Sequence, residues 1–174
     1  RLAANIVVKV PLIPETDKSL WVINQLAKLN IAVNVTTIMT YEQMVMAILA
    51  ARNCKRLSFV SIFWGRSIED HKIYRSKSSF ETKHPKLGPE SEVNKDVRVL
   101  VAKVAEFLKE GHYKNPKIIV GSLRNASQAG EALAAGGNIP TLPPAILEAM
   151  LFSQRSTETI AQFDDAWKEL QKKK

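Results

Sequence analysis

Short β-branched apolar runs alternate along the chain with longer stretches in which apolar residues recur at helical spacing. Three of the runs begin at positions 5, 31 and 57, at intervals of 26 residues. One strand and its crossover helix occupy such an interval, so the spacing predicts successive parallel βαβ units. The predicted strands cover residues 5–10, 31–36, 57–63, 117–121 and 138–142.

The segments between these runs predict helices. Thr40 is followed three residues later by Gln43, which is the sequence of a capping box and predicts a helix that begins there. Pro143 and Pro144 predict the start of another helix, because the first turn tolerates a residue without a backbone donor. The other predicted helices begin at Thr16 or cover residues 93–109, about 126–135 and about 156–170.

Residues 67–92 interrupt this alternation with a polar segment that has no sustained period. A loop of this length in a compact domain is usually functional or disordered. We therefore expect a polar, partly mobile excursion at the surface of a single domain that covers residues 1–174. His71 and His84 lie in the segment, but no carboxylate or Cys stands at ligand spacing to them, so we predict no metal site.

The composition is that of an ordinary globular domain. The 174 residues are 45% apolar and 24% charged, which is enough to build one sizeable core and excludes a disordered chain. No run of 18 apolar residues occurs, so we expect no transmembrane helix. Cys54 is the only cysteine and has no partner for an internal disulfide, so we expect a reducing compartment, the cytoplasm.

The chain is basic, with 25 Lys and Arg against 17 Asp and Glu and a formal net charge of +8. A basic surface attracts nucleic acids, anionic membranes or phosphorylated metabolites. Basic groups occur over residues 66–86 and 172–174, and neither is interleaved with aromatic residues as a surface for single strands would be. We therefore expect neither a nucleic-acid partner nor a membrane partner, and the charge is consistent with anionic substrates.

Polar residues occur at or near the carboxyl ends of the predicted strands, where a sheet covered on both faces would be apolar. They are Lys9 on the first strand, Asn34 and Thr36 on the second, Ser61 and Arg66 on and after the third, and Ser122 and Arg124 after the fourth. In a (β/α) barrel or an open α/β sheet, ligands bind at this end of the strands. The repetition of the feature predicts a binding site.

The types of these residues predict a class of chemistry. Apolar neighbours would desolvate Lys9 and so favour its neutral amine, which attacks a carbonyl to form a Schiff base. Two Arg side chains with a nearby Ser are suited to hold a phosphate through charge-assisted hydrogen bonds. Asn34 and Thr36 are suited to orient a substrate hydroxyl or a catalytic water. Together the residues predict a Schiff-base enzyme that acts on a phosphorylated carbonyl compound.

Over most of residues 5–70 and 117–170, the sequence resembles the transaldolase family. The motifs that carry the resemblance are Val7-Val8-Lys9-Val10-Pro11, Asn34-Val35-Thr36, Ser61-Ile62-Phe63-Trp64-Gly65-Arg66, Gly121-Ser122-Leu123-Arg124-Asn125 and the closing stretch from Thr141 to Trp167. The first four of these, which occur in order and have the correct residue types, make the resemblance specific. Ser61-Ile62 departs from it, since the family has Ser-Pro there.

The resemblance implies a role for each site residue. Lys9 would form the Schiff base, Asn34 would bind beside it, and Thr36 would help to hold the catalytic water. Ser61 would contact the substrate. Ser122 would accompany the phosphate-binding residues Arg66 and Arg124. No metal or organic cofactor is implied, because the protonated imine accepts the electron pair.

The resemblance also implies a fold, namely an α/β barrel of the (β/α)8 TIM-barrel type. The family has its lysine on the fourth strand, with an acid/base Asp and Glu on upstream strands, so the five strands predicted here correspond to about the last five βα units. The carboxylates of Glu15, Asp17, Glu69 and Asp70 match no acid of the family. Because an open barrel leaves two sheet edges, we expect such a chain to aggregate, to pair with a second copy as a homo-oligomer, or to need its missing part.

The function implied is that of a transaldolase, a transferase of carbohydrate metabolism. It would move a dihydroxyacetone unit between sugar phosphates in the pentose phosphate pathway. One alternative is a fructose 6-phosphate aldolase of the same superfamily. A second alternative is a truncated, non-catalytic fragment that binds sugar phosphates.

Overall fold

A computed structural model describes residues 5–13, 16–75 and 91–172 of the chain. Its centre is one sheet of five parallel strands that neighbour each other in the order of the sequence. The strands are β1 (Val7–Pro11), β2 (Ala32–Ile38), β3 (Ser58–Phe63), β4 (Pro116–Gly121) and β5 (Ile139–Pro140). The predicted α/β class is therefore confirmed, and the sequential parallel order is consistent with part of a TIM-barrel-type fold.

Helices alternate with the strands. They are α1 (Thr16–Lys28), α2 (Tyr41–Ala51), α3 (Trp64–Arg75), α4 (Val97–Glu110) and α5 (Ala126–Ala134), with a 3₁₀ helix (Glu92–Lys95) before α4. The capping box predicted for α2 is confirmed, since the Thr40 hydroxyl accepts from the Gln43 backbone and the Gln43 side chain accepts from the Thr40 backbone.

The two faces of the sheet differ in what they bury. One face presents Val10, Val33, Val35, Val60, Ile62, Ile118 and Val120, which are buried in the hydrophobic core with side chains of α1, α2, α4 and α5. On the other face Lys9 is exposed, and Asn34, Phe59 and Ile119 are only half-buried. In a closed barrel this second face would be the interior. We call it the open face; its residues include Lys9, Asn34, Thr36, Phe59, Ser61 and Lys117.

Residues 67–75 differ from the expectation. They continue α3, which begins at Trp64, immediately after β3, so the irregular segment predicted over 67–92 does not begin at residue 67. Most residues of this helix are polar, and the sequence therefore lacks the sustained apolar period that would predict it. Residues 76–90, with His84 and most of the predicted excursion, lie outside the described residues.

The chain divides into two compact units, residues 1–142 and 143–174. The first unit contains the sheet and the candidate site residues. The second consists of α6 (Pro144–Leu151) and α7 (Gln154–Lys172). Pro143 stands immediately before α6 and Pro144 occupies its first turn, so the helix begins at these prolines, as the sequence predicts.

Candidate active site

Lys9 and Asn34 are direct neighbours across β1 and β2. The register pairs Lys9 with Asn34, Asn34 with Phe59 on β3, and Phe59 with Lys117 on β4. Partners in a parallel ladder point to the same face of a sheet and lie on strands about 4.8 Å apart. The four residues therefore form one row on the open face, with a lysine in β1 and another in β4.

The burial predicted for Lys9 is not observed. Lys9 is exposed, because it lies on the open face of β1, which is one edge of the five-stranded sheet. The apolar residues on either side of it in the sequence point to the opposite face, where Val10 joins the core. The desolvation argument is therefore wrong for this structure, since alternation along a strand turns sequence neighbours away from each other.

Ser61 connects β3 to Asn34. Its hydroxyl donates a 2.6 Å hydrogen bond to Asn34 Oδ1, and Ser61 itself is buried, with 6% of its surface exposed. The bond fixes the Asn34 amide, so its NH₂ group remains available as a donor on the open face beside Lys9. Two residues that the sequence singles out on separate strands are thus in direct contact.

Thr36 lies two residues beyond Asn34 and is 5% exposed. The register between β2 and β3 shifts between Val35 and Ile38, which makes a bulge at Thr36 and Thr37. Thr37 has a φ of 61°, and its hydroxyl donates to the carbonyls of Leu12 (2.8 Å) and Thr36 (2.6 Å). Left-handed backbone at a β-branched residue is strained, and such strain concentrates at functional sites. No pattern in the sequence predicts this bulge.

Gly65 connects the start of α3 to the loop after β4. Its backbone N–H donates to the Ser122 carbonyl at 3.1 Å. A Cβ at position 65 would collide with that carbonyl oxygen and lie 3.0 Å from Arg124 Nε, so only glycine permits the approach. Ser122 also has a left-handed φ of 61°. The two segments predicted to bind phosphate are therefore joined through their backbones.

Both predicted phosphate arginines are placed by neighbouring side chains. The guanidinium carbon of Arg66 lies 4.7 Å from the ring centroid of Phe63. Arg124 Nη2 lies 3.1 Å from Glu69 Oε1 in an ion pair whose side chains are about half exposed. The sequence motifs assign Glu69 no role. The available signal is its position three residues after Arg66, which places it on the same side of a helix that begins at the site.

The loop that carries Arg124 is held by the start of α5. The Arg124 backbone N–H donates to Gln128 Oε1, and Asn125 caps the helix by accepting from the Gln128 backbone, both at 2.8 Å. Arg66 and Arg124 thus follow the carboxyl ends of the neighbouring strands β3 and β4. Two guanidinium groups on ordered backbone at this end of a parallel sheet are suited to bind an anion.

Two further features bear on function. Within residues 5–13, 16–75 and 91–172, no three His, Cys, Asp or Glu side chains cluster as potential metal ligands. No helix in the described part of the chain is both long enough and apolar enough to cross a membrane.

The fold and the site define a class: a parallel α/β protein of the TIM-barrel type with its polar residues at the carboxyl ends of the strands. Comparison with known proteins gives the family. The family model described as Transaldolase/Fructose-6-phosphate aldolase matches residues 1–174. The chain belongs to this family, which confirms the resemblance inferred from the motifs.

The sequence identity between this chain and individual members of the family is low. The chain is 30% identical over 166 residues to a probable transaldolase of Oceanobacillus iheyensis, covering 95% of this chain and 63% of that protein. It is 29% identical to a probable transaldolase of Rhodospirillum centenum (96% and 59%) and 30% identical to one of Exiguobacterium sibiricum (98% and 65%). The chain thus spans about three fifths of the length of the curated relatives it matches.

Proposed function

We propose that this protein is a transaldolase, which transfers a dihydroxyacetone unit from a ketose phosphate to an aldose phosphate through a Schiff base on Lys9. The observation that supports this most directly is the row on the open face. Lys9 adjoins Asn34, which accepts a hydrogen bond from Ser61. A primary amine beside an oriented amide is an arrangement suited to carbonyl addition.

The first half-reaction begins with the neutral amine of Lys9. Its lone pair attacks the C2 carbonyl of the ketose, and the resulting carbinolamine takes up a proton and loses water to give a protonated imine. The C4 hydroxyl then gives its proton to a base, the C3–C4 bond breaks, and C4 leaves as an aldehyde. The electron pair of that bond moves into the imine and leaves an enamine on Lys9. The Asn34 amide would hydrogen-bond the sugar hydroxyls beside the imine.

The second half-reaction reverses these steps on another aldehyde. The enamine carbon attacks the acceptor carbonyl, whose oxygen takes up a proton, and the imine forms again. Water then adds to the imine, and the new ketose leaves with the regeneration of the Lys9 amine. Thr36 is the residue we propose to hold this water, because it lies on the open face two residues beyond Asn34.

The substrate phosphate would bind at Arg66, Ser122 and Arg124. Gly65 and Ser122 are hydrogen-bonded through their backbones, so the two arginines belong to one connected structure. Binding the phosphate at a fixed place would hold the reacting carbonyl near Lys9 and lower the entropic cost of the addition.

The family description also names fructose-6-phosphate aldolase, and this is the second candidate. The two reactions share every step up to the enamine. In the aldolase the enamine takes a proton at carbon, and hydrolysis releases free dihydroxyacetone. If an acceptor aldose phosphate raises the turnover of fructose 6-phosphate, the transferase is supported; turnover with release of dihydroxyacetone and no response to the acceptor supports the aldolase.

The experiment that tests the role of Lys9 is borohydride trapping, with intact-mass detection, on the protein expressed from its complete reading frame. We expect fructose 6-phosphate with borohydride to give a stable adduct on the wild type, with the modified peptide containing Lys9. Lys9→Met should abolish the adduct. Lys117→Met is the matched control, because Lys117 belongs to the same row of the open face, and it should retain the adduct. Trapping that survives in Lys9→Met would assign the nucleophile to another residue.

A further inference from the structure

Most of the net positive charge lies in the connections that lead from a helix to the next strand, and of these basic residues only Lys117 also belongs to the row of Lys9 and Asn34 on the open face. We define the basic face as the segments that run from the last two residues of a helix to the first two of the next strand, residues 27–33, 50–59, 109–117 and 133–140. These segments contain seven Lys or Arg and one carboxylate, Glu110, a net charge of +6 against +8 for the whole chain. The seven are Lys28, Arg52, Lys55, Arg56, Lys109, Lys114 and Lys117.

These cations are not neutralised within the part of the chain that the structure describes. None of the seven forms an ion pair with a described carboxylate, whereas six other basic residues do: Lys95, Arg98, Lys103, Arg124, Arg155 and Lys168. Two of the seven, Arg52 and Arg56, donate instead to backbone carbonyls. Clustered cations without counter-ions repel one another, so this face favours a bound anion.

Helix dipoles account for the positions of only some of these seven basic residues. The carboxyl ends of the helices carry partial negative charge, which favours Lys28, Arg52 and Lys109 at or next to helix ends. The dipole acts only within the last turn of a helix. It does not explain Lys114 and Lys117, which lie four and seven residues beyond the end of α4.

A cleft of about 330 Å³ opens within the basic face. Lys109, His112, Lys114 and Lys117 line it together with the half-buried Ala105 and Gly136, and none of the described lining residues is acidic. Its volume is at the lower end of the range for small-molecule sites.

The walls of the cleft are fixed by packing. The rings of Phe107 and Tyr113 stack with centroids 5.5 Å apart. Gly136, at a φ of 98°, brings its loop so close to α4 that a Cβ there would lie 2.7 Å from Ala105 Cβ. A concave site with fixed walls binds a small ligand without a large ordering cost.

We propose that this cleft binds a small phosphate-bearing molecule, with its phosphate oxygens on the ammonium groups of Lys109 and Lys114 and its apolar part against Ala105 and Gly136. This site is separate from the one at Arg66 and Arg124 and does not depend on the proposed function. A small ligand fits better than a nucleic acid, because the aromatic ring at the cleft, Tyr113, is already stacked on Phe107 instead of being free to stack on bases.

The test uses inorganic pyrophosphate as the probe, titrated calorimetrically at constant ionic strength. Every titration uses protein that carries Arg66→Gln/Arg124→Gln, which removes the guanidinium groups of the other candidate anion site. We expect saturable binding at one site of this protein. Adding Lys109→Gln/Lys114→Gln should weaken binding about tenfold for each ammonium group removed. Adding Lys95→Gln/Lys103→Gln instead removes the same charge from outside the basic face and should leave the affinity unchanged.

A second measurement needs no variant. Pyrophosphate should protect the amines of Lys109 and Lys114 from acetylation, detected by peptide mass spectrometry, while Lys168 on α7 reacts at an unchanged rate. Equal weakening by the two lysine double substitutions, protection spread over all lysines, or absence of saturation would overturn the proposal. So would tighter binding of a single-stranded RNA than of pyrophosphate, which would assign the face to nucleic acid.

Discussion

The Ser61 hydroxyl donates a 2.6 Å hydrogen bond to Asn34 Oδ1, across neighbouring strands of the open face. Asn34 has a terminal amide that would otherwise rotate among several orientations, and it stands directly beside Lys9 in the register. Ser61 thereby fixes which side of the amide faces the lysine. In this arrangement Ser61 acts through Asn34, as a positioning residue for the proposed reaction.

Ser61→Ala should therefore slow the chemistry more than it weakens substrate binding. The variant removes one buried hydrogen bond, which contributes about 1 kcal/mol to stability. It also frees the Asn34 amide, so we expect kcat to fall at least about tenfold, a loss of about 1.4 kcal/mol in transition-state stabilisation, with KM changed far less. Steady-state kinetics with fructose 6-phosphate and an acceptor aldose phosphate measure both constants.

Ser58→Ala is the matched control for this variant. Ser58 lies on the same strand and is 1% exposed, but its hydroxyl faces the other side, where it accepts from the Val33 backbone and donates to the Arg56 carbonyl. Its removal should lower the melting temperature and leave kcat unchanged. If the two variants lower kcat equally, Ser61 has only a structural role.

The first three strands are predictable from the sequence because they are short apolar runs that begin at a regular interval of 26 residues. The same pattern also predicts which residues lie at the carboxyl ends of β2 and β3. It does not predict the exposure of Lys9, because the alternation of side chains across β1 becomes visible only when the covered face is known. The sequence does not predict the bulge at Thr37 either, since nothing in a β-branched run indicates that one of its threonines has a left-handed φ.

The helix α3 and the ion pair of Glu69 with Arg124 are a second feature that the sequence does not predict. The segment after Arg66 is polar and aperiodic, so hydrophobic spacing cannot separate a solvated helix from a loop. Once Trp64–Arg75 is helical, Glu69 lies on the same side as Arg66 and reaches Arg124. The ion pair depends on the position of a loop 55 residues further along the chain, which no local pattern encodes.

Glu69→Gln should tighten the binding of phosphorylated substrates. In the structure the Glu69 carboxylate occupies one side of the Arg124 guanidinium, and a substrate phosphate must share or displace it. Gln keeps the shape and one acceptor oxygen but removes the negative charge. Exposed ion pairs are worth about 0.2–1 kcal/mol, so we expect the KM for fructose 6-phosphate to fall by up to about fivefold.

The measurement for this prediction is KM together with the inhibition constant of inorganic phosphate. Both constants should fall in parallel, because both depend on how tightly the site binds a phosphate group. Glu158→Gln, which removes the carboxylate of the Arg155–Glu158 pair on α7, removes the same charge and should change neither constant. A higher KM in Glu69→Gln would show that the ion pair is needed to orient Arg124.

Gly65→Ala should disrupt the connection between the two phosphate-binding segments. The new Cβ would collide with the Ser122 carbonyl oxygen, which is backbone and moves only if the strained loop moves with it. We expect a loss of about 1–3 kcal/mol in the free energy of unfolding, as for overpacked sites. We also expect a higher KM for fructose 6-phosphate, because displacement of Ser122 moves Arg124.

Gly130→Ala is the matched control for this variant. Gly130 lies within α5 with open space around its missing side chain, so the same substitution should raise stability by about 1 kcal/mol and leave KM unchanged. Denaturant unfolding and kinetics on both variants separate the outcomes, and an unchanged KM in Gly65→Ala would show that the hydrogen bond between Gly65 and Ser122 does not position the phosphate site.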